Sequence, residues 1–424
     1  MPTPSLLIVP ARFKSGKLYS QIPTSGAGDF TVTRATSATR VNASGFIESV
    51  ASGIPRLDYL ASGGTVGCPA LLVEPAATNF ARGVELLNTP NIATASGGIT
   101  ITTGSTDFLA PDGSSGTITK YVGGVASGAN YVEYASSISV SASGVHTFSA
   151  FVKTGATNPL TFCALQFASY SAASGTGTSY FNLASGTALT AGASIQNYGN
   201  GWYRIISPPY TIAADLAGSI RLIFAEGNSD VSWPASGALN LTLYAWGIQL
   251  EAGSVATSYI PTTTAAVTRN ADVVSVSGAV SGSIGQLSGT IYAEVDVRNL
   301  FAGSLLVVDD GDTSDFIAIG RLANLTIRAQ IRRTGGSTTT IITSSAVALG
   351  VHKIALAYTN GDYALYIDGV SAGTSTNSTN YPATSLTQCV LSNTNYVPFN
   401  DRILDAALYT TRLSNAELAA ITSL

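Results

Sequence analysis

The chain has 424 residues, of which 20 are Lys or Arg and 24 are Asp or Glu, so 10 % carry charge and the net charge is −4. An average soluble protein carries roughly 25 %, so Ser, Thr, Asn and Gly must cover much of this surface. The basic residues form no run longer than the Arg332-Arg333 pair, which argues against a nucleic-acid partner, and no apolar run approaches the roughly 20 residues that cross a bilayer as a helix, so no membrane insertion is expected.

In chain order, the opening MPTPSLLIVPARFKSGK places prolines beside a four-residue apolar run with no positive charge before it. This is not the pattern of a secretory signal, and assembly in the cytoplasm is expected. Residues 1–85 mix short strand patterns with coil and hold many of the prolines and basic groups. They read as an N-terminal attachment or oligomerisation arm in which Arg34, Arg40, Arg56 and Glu74 could form ion pairs to a neighbour. Residues 86–262 are long, polar and strand-rich, closing in LNLTLYAWGIQLEAGSVATSYIPT, and TTTAAVTRNADVV reads as a connector into a second strand-rich unit, 263–424. There GTIYAEVDVRN, FIAIGR, LTIRAQIRR and HKIALAY alternate apolar and polar residues with the period of two that half-buried strands require. In HKIALAYTNGDYALYIDG, Asn360-Gly361 predicts a tight hairpin turn through left-handed backbone conformations. One helix is predicted, at LSNAELAAITSL, where Ser414 and Glu417 have capping-box spacing. Cys68, Cys163 and Cys389 are far apart, without metal spacing, and read as small buried hydrophobes.

The set DFTVTRATSATRVNASGFIESV, IPRLDYL, CPALLVEPAATNF, GNGWYRI, YAWGIQLEAGSVATSYIPT and VTRNADV, spanning about 29–273, resembles tailed-bacteriophage virion proteins of the tail, fibre or head-fibre type. The resemblance implies a jelly-roll sandwich like a carbohydrate-binding module in the middle region. The last 150 or so residues resemble the concanavalin A-like, laminin G-like sandwich, with GVHKIALAYTNGDYALYIDGVSAGT as its hairpin and DRILDAALYTTRLSNAELAAI as its last strand and closing helix. The expected fold is therefore all-β: an N-terminal arm, a jelly-roll sandwich and a C-terminal concanavalin A-like sandwich.

Candidate chemistry is sparse. Glu294 and Asp296 share a strand face, and concanavalin A-like glucanases have a related pattern of acids, but the third acidic position here is Arg298 or Asn299. The segment also reads as the first strand of its unit and not a central one. His146 and His352 have no nucleophile at a recognisable spacing. Asp309, Asp310, Asp312 and Asp315 crowd one loop and could bind calcium, although the spacing is not that of an EF-hand; no other cofactor is expected. Glycan binding needs exposed aromatic rings beside amide or carboxylate groups. Trp233 with Asn228 and Asp230, and Tyr396 with Asn393, Asn395 and Asn400, meet that description, whereas Trp202 and Trp246 lie in strand patterns and read as core.

The function expected from these readings is non-enzymatic: a phage structural protein, tail fibre or tail-associated, displayed on the virion to adhere to host-surface glycan. The arm would engage other virion proteins and support a homo-oligomer, a trimer being the expected form. A capsid-decoration or head-fibre role is the alternative, and a glycan depolymerase the third reading.

Overall fold

A computed structural model of the chain describes residues 2–82, 92–125, 128–140, 143–170, 172–174, 177–213, 216–233, 238–378, 381–382 and 385–424. Among the described residues the paired strands are antiparallel and form sheets of eight, seven, ten and nine strands, with Ala38–Val41 and Ile47–Val50 as a separate hairpin. The all-β expectation is met. No helix among the described residues is long and apolar enough to cross a membrane.

The eight- and nine-stranded sheets enclose the core of the C-terminal sandwich. Alternation supplies it: Ile291, Ala293, Val295 and Val297 point inward from strand Ser288–Val297, and Ile327, Ala329 and Ile331 from strand Thr326–Arg332, all with no exposed area. Strand Ser288–Val297 lies between Gly350–Thr359 and Asp401–Tyr409 and is central, correcting the reading that placed it away from the sheet centre. The ten- and seven-stranded sheets pack in the same way around Phe148, Ala150, Val152, Leu165, Phe181, Leu222 and Phe224.

The segment read as an attachment arm, 1–85, has its described residues 2–82 built into the sandwiches of its own chain. Leu6–Ile8 and Val66–Val73 both pair with strand Asp401–Tyr409, and Phe30–Thr33 pairs with Val273–Ser277. Leu6, Ile8, Phe30, Leu57, Leu71 and Val73 sit in the same core as Ile291 and Ile317. Short apolar runs such as LLIV are edge and filling strands of a distant sheet, a role that only pairing partners some 400 residues away could reveal. The segment also meets the middle sandwich, where Val41, Ile47 and Leu60 pack with Ile118, Phe151, Trp202, Tyr244, Trp246 and Tyr259. Trp202 and Trp246 are core residues, as expected, at 2 % and 3 % exposure.

The motifs around Arg34, Arg56, Glu74 and Arg269 converge on a buried ionic cluster. Arg34 reaches Asp272 at 2.8 Å, and Arg56 bridges Glu74 at 2.7 Å and Asp272; Arg269 lies 3.4 Å from Glu74. Ser258 donates from its backbone N–H and its hydroxyl to Glu74 at 2.6 and 2.7 Å. Burial alone would raise the Glu74 pKa, yet Arg269, Arg56 and the Ser258 bonds together hold its carboxyl well below the usual range. Desolvation pushes the Arg269 and Arg34 guanidinium groups downward, opposed by the same carboxylates. Arg34, Arg56 and Glu74 thus hold residues 1–85 to the connector of their own chain, while Arg40 pairs with Glu48 across the small hairpin at 2.8 Å.

The helix forms over Asn415–Thr422 with the full capping box, and Leu418 is completely buried. At Asn360-Gly361 only Gly361 takes the left-handed conformation, at φ 79°; at the next turn both Asp368 and Gly369 do so, at 50° and 80°, joining Asp362–Ile367 to Val370–Ser375. Cys163 and Cys389 are buried, whereas Cys68 is exposed and departs from the expectation.

A candidate glycan-binding cleft

The nine-stranded sheet has one face in the core and the other turned outward, and the outward face carries a cleft of about 310 Å³. Strand Thr326–Arg332 sends Arg328, Gln330 and Arg332 to this face because its odd-numbered residues fill the core. The neighbouring strand Phe316–Arg321 sets Phe316, Ala318 and Gly320 opposite Arg332, Gln330 and Arg328. Val307, Phe316, Ala318 and Val390 form a small apolar floor across adjoining strands.

One wall is the loop holding Asn395 and Tyr396. Asn393 fixes it by accepting the backbone N–H groups of Asn395 at 2.9 Å and Tyr396 at 3.0 Å. The Tyr396 ring meets Phe316 edge-on, centroids 5.7 Å apart, and its hydroxyl donates to Asp309 at 2.9 Å. Burial and then the Asp309 carboxylate push that hydroxyl well above the ordinary tyrosine pKa, so it remains a donor. The loop's exit is seated by Ser304, whose N–H donates to Val397 at 2.8 Å. Gly303 permits this approach: a Cβ there would lie 2.3 Å from the Pro398 carbonyl oxygen.

No Asp or Glu lines the cleft. Arg328 and Arg332 form no ion pair among the described residues, and the buried Nε atom of each has no hydrogen-bond partner there. A side-chain Cβ at Gly320 would fall 3.5 Å from Arg328 Nε and 3.7 Å from Gln330 Oε1, so the missing side chain keeps the floor open beneath both groups. Arg321 braces the site from below, donating to Phe301 at 2.9 Å and pairing with Asp401 at 3.3 Å.

Of the residues singled out in the sequence, Asn395 and Tyr396 line the cleft. Arg328, Gln330 and Arg332 were missed as site residues, although LTIRAQIRR displays them at alternate positions on one strand face. Asn228 and Asp230 are exposed on a tight turn closed by a Gly227–Asp230 bridge and lie away from the cleft. Trp233 has its backbone in a short strand beside Gly128, but its side chain lies outside the described residues. The four aspartates do not converge on a metal. Asp309 accepts from Tyr396 and Gly311, Asp310 from Asp312 and Asp315, Asp312 from Ser314, and Asp315 from Thr334. Among the described residues no group of three or more His, Cys, Asp or Glu is placed to hold a metal ion. These carboxylates fold the loop by satisfying its own N–H groups, which is why their spacing imitated a binding loop.

Asp296 is also committed elsewhere, held by Arg298 at 2.5 Å. Glu294 faces Asp405 and Lys353 across the central strands of the opposite sheet. The histidines are structural: His146 contacts the Gly144 carbonyl at 2.9 Å, and His352 sits between Asp368 at 2.6 Å and the Ala348 carbonyl at 2.8 Å.

Residues 268–419 match the family described as the Concanavalin A-like lectin/glucanases superfamily. Among solved structures, the chain is similar to the Ruminococcus gnavus IT-sialidase CBM40, with 22 % identity over 34 % of this chain and 87 % of that one, at a TM-score of 0.30. It is also similar to a heptameric SAP-like pentraxin from Limulus polyphemus, with 11 % identity over 32 % of this chain and 70 % of that one, at a TM-score of 0.27. No curated protein matches the chain significantly. The C-terminal part of this chain is thus similar to concanavalin A-like domains, and the cleft lies wholly within the matched residues.

Proposed function

We propose that the chain is a non-catalytic glycan-binding protein that takes its ligand in the cleft over Arg328, Gln330 and Arg332. The observation that carries this reading is the union, on rigid strands, of an aromatic wall, Tyr396 on Phe316, with a row of outward hydrogen-bonding side chains. A pyranose ring presents an apolar face to the one and hydroxyls to the other. The match to a superfamily of lectins and glucanases supports the same reading. The acids of the glucanase-like pattern lie outside the cleft, and Asp296 is neutralised by Arg298, which favours binding over hydrolysis.

The test is a glycan-array screen with the full chain and with Gln330→Ala. Saturable binding to one glycan class, weakened at least tenfold in the variant while the melting temperature holds, is expected. Binding that is absent, or indifferent to Gln330, overturns the assignment.

We further propose that the protein is displayed on a bacteriophage virion, as a tail fibre or tail-associated component, for adhesion to host-surface glycan. Its support is the sequence resemblance over about 29–273, together with a charge-poor surface suited to recognising hydroxyl groups. Gold-labelled antibody to the protein is expected to decorate the tails of phage particles induced from a strain carrying the gene; label on the head would assign a decoration role instead.

A further inference from the structure

We infer that the cleft selects an acidic saccharide, one whose ring carries a carboxylate or a sulfate ester; this rests on the glycan-binding reading of the same cleft. Two guanidinium groups lie on one strand face with no Asp or Glu among the lining residues; the aspartates of the Asp309–Asp315 loop, whose Thr313 lines the rim, are engaged by the loop's own N–H groups, Tyr396 and Thr334. Elsewhere the buried arginines Arg34, Arg56, Arg269, Arg321 and Arg402 have carboxylate partners within the chain, and the buried Arg204 donates to the Ser149 hydroxyl. The half-buried Arg328 and Arg332 pair with no carboxylate among the described residues, and the Nε–H of each finds no acceptor there. A buried donor without an acceptor is costly, and an anion entering the cleft removes that cost. The guanidinium fork suits the paired oxygens of a carboxylate or sulfate better than a lone hydroxyl.

The spacing fits a saccharide larger than one residue. Arg328 and Arg332 are four residues apart on one strand, roughly 13 Å between Cα atoms at the usual rise. Gln330 lies between them, offering an amide to hydroxyls, and Gly320 leaves the floor open beneath Arg328 and Gln330. Arg332 lies nearest the aromatic wall, being paired in register with Phe316 and close enough to Tyr396 to act on its hydroxyl.

Calorimetry with the full chain and matched probes tests the inference: oligogalacturonate against its methyl ester, sialyllactose against lactose, and galactose 6-sulfate against galactose. The acidic member of at least one pair is expected to bind ten- to a hundredfold tighter, with affinity falling as salt is raised. The pair that discriminates identifies the anionic group. Arg328→Gln and Arg332→Gln are each expected to erase about tenfold of the preference, weakening the acidic member more than the neutral one. Gly320→Val keeps both charges and fills the floor, and is expected to weaken every ligand. Equal binding within every pair, or a preference that survives both arginine variants, overturns the acidic class while leaving the cleft as the site. Binding unchanged by Gly320→Val overturns the cleft itself.

Discussion

Two groups of arginines in this protein show opposite uses of the same side chain. Arg34, Arg56 and Arg269 lie at 0–1 % side-chain exposure, enclosed with Glu74 and Asp272 where the N-terminal segment meets the connector. Arg328 and Arg332 line an open cleft with no carboxylate. A charge removed from water must be neutralised inside the fold, because desolvation costs several kcal/mol per ion; a charge left at a cleft keeps part of its hydration and can exchange it for a ligand. On the proposed reading the first group governs stability and the second binding, and the two can be separated by measurement.

The largest effect is expected at the buried cluster. Arg56→Ala leaves Glu74 and Asp272 without their shared partner, and urea unfolding is expected to show a loss of about 3–5 kcal/mol. The loss should shrink as pH falls below the ordinary glutamate value. Glu74 has a depressed pKa in the folded state, so its stabilisation is full above the unfolded value and fades as acid protonates the carboxylate. A loss near zero at neutral pH would mean that the cluster closes no essential contact.

Next comes the packing that shapes the cleft. Gly303→Ala forces a Cβ to within 2.3 Å of the Pro398 carbonyl oxygen unless the loop moves, at a cost of about 1–3 kcal/mol. Because the Tyr396 wall would shift with that loop, glycan affinity is expected to fall together with the melting temperature.

A third site holds carboxyls that face each other without a buried arginine. Burial and then Glu294 push Asp405 up to about 7. The folded state then keeps a proton that the unfolded chain releases near pH 4, so stability falls as pH rises from about 4 to 7 and is level beyond. Asp405→Asn is expected to flatten that slope and to gain about 1 kcal/mol at pH 8, read as the urea midpoint across pH. A slope unchanged in the variant would assign it to another group.

The smallest effect is expected at the cleft arginines. Arg328→Gln and Arg332→Gln should leave the urea midpoint within about 0.5 kcal/mol of the parent, in contrast to Arg56→Ala. A large loss at either would place it with the structural arginines and break the distinction.

Much of this was legible in local pattern. Period-two alternation marked the strands, Ser414 and Glu417 marked the helix, and Asn395 and Tyr396 were found because a cluster of asparagines beside an aromatic ring is uncommon in strands. The motifs around Arg34, Arg56, Glu74 and Arg269 were recognisable as a set, but nothing in their spacing said that they meet. The row Arg328, Gln330, Arg332 was visible as a strand face and passed over, because any solvated strand shows the same alternation. The aspartates at 309–315 offered two readings, an acidic turn and a calcium loop, because both draw on the same residue type, and their hydrogen bonds are those of a turn.

The amino-acid sequence by itself determined the class of structure, the placement of its one α-helix among the described residues, and which side of each strand faces the core. Those properties depend on neighbours within a few residues, where periodicity and capping act. Tertiary structure decided that strands within residues 2–82 complete a sandwich begun near residue 273, that three arginines and two carboxylates from four segments are buried together, and that Arg328 and Arg332 line a cleft with no carboxylate. Each of these depends on contacts across hundreds of residues, and a charge becomes structural or available for a ligand only when the fold settles what stands opposite it.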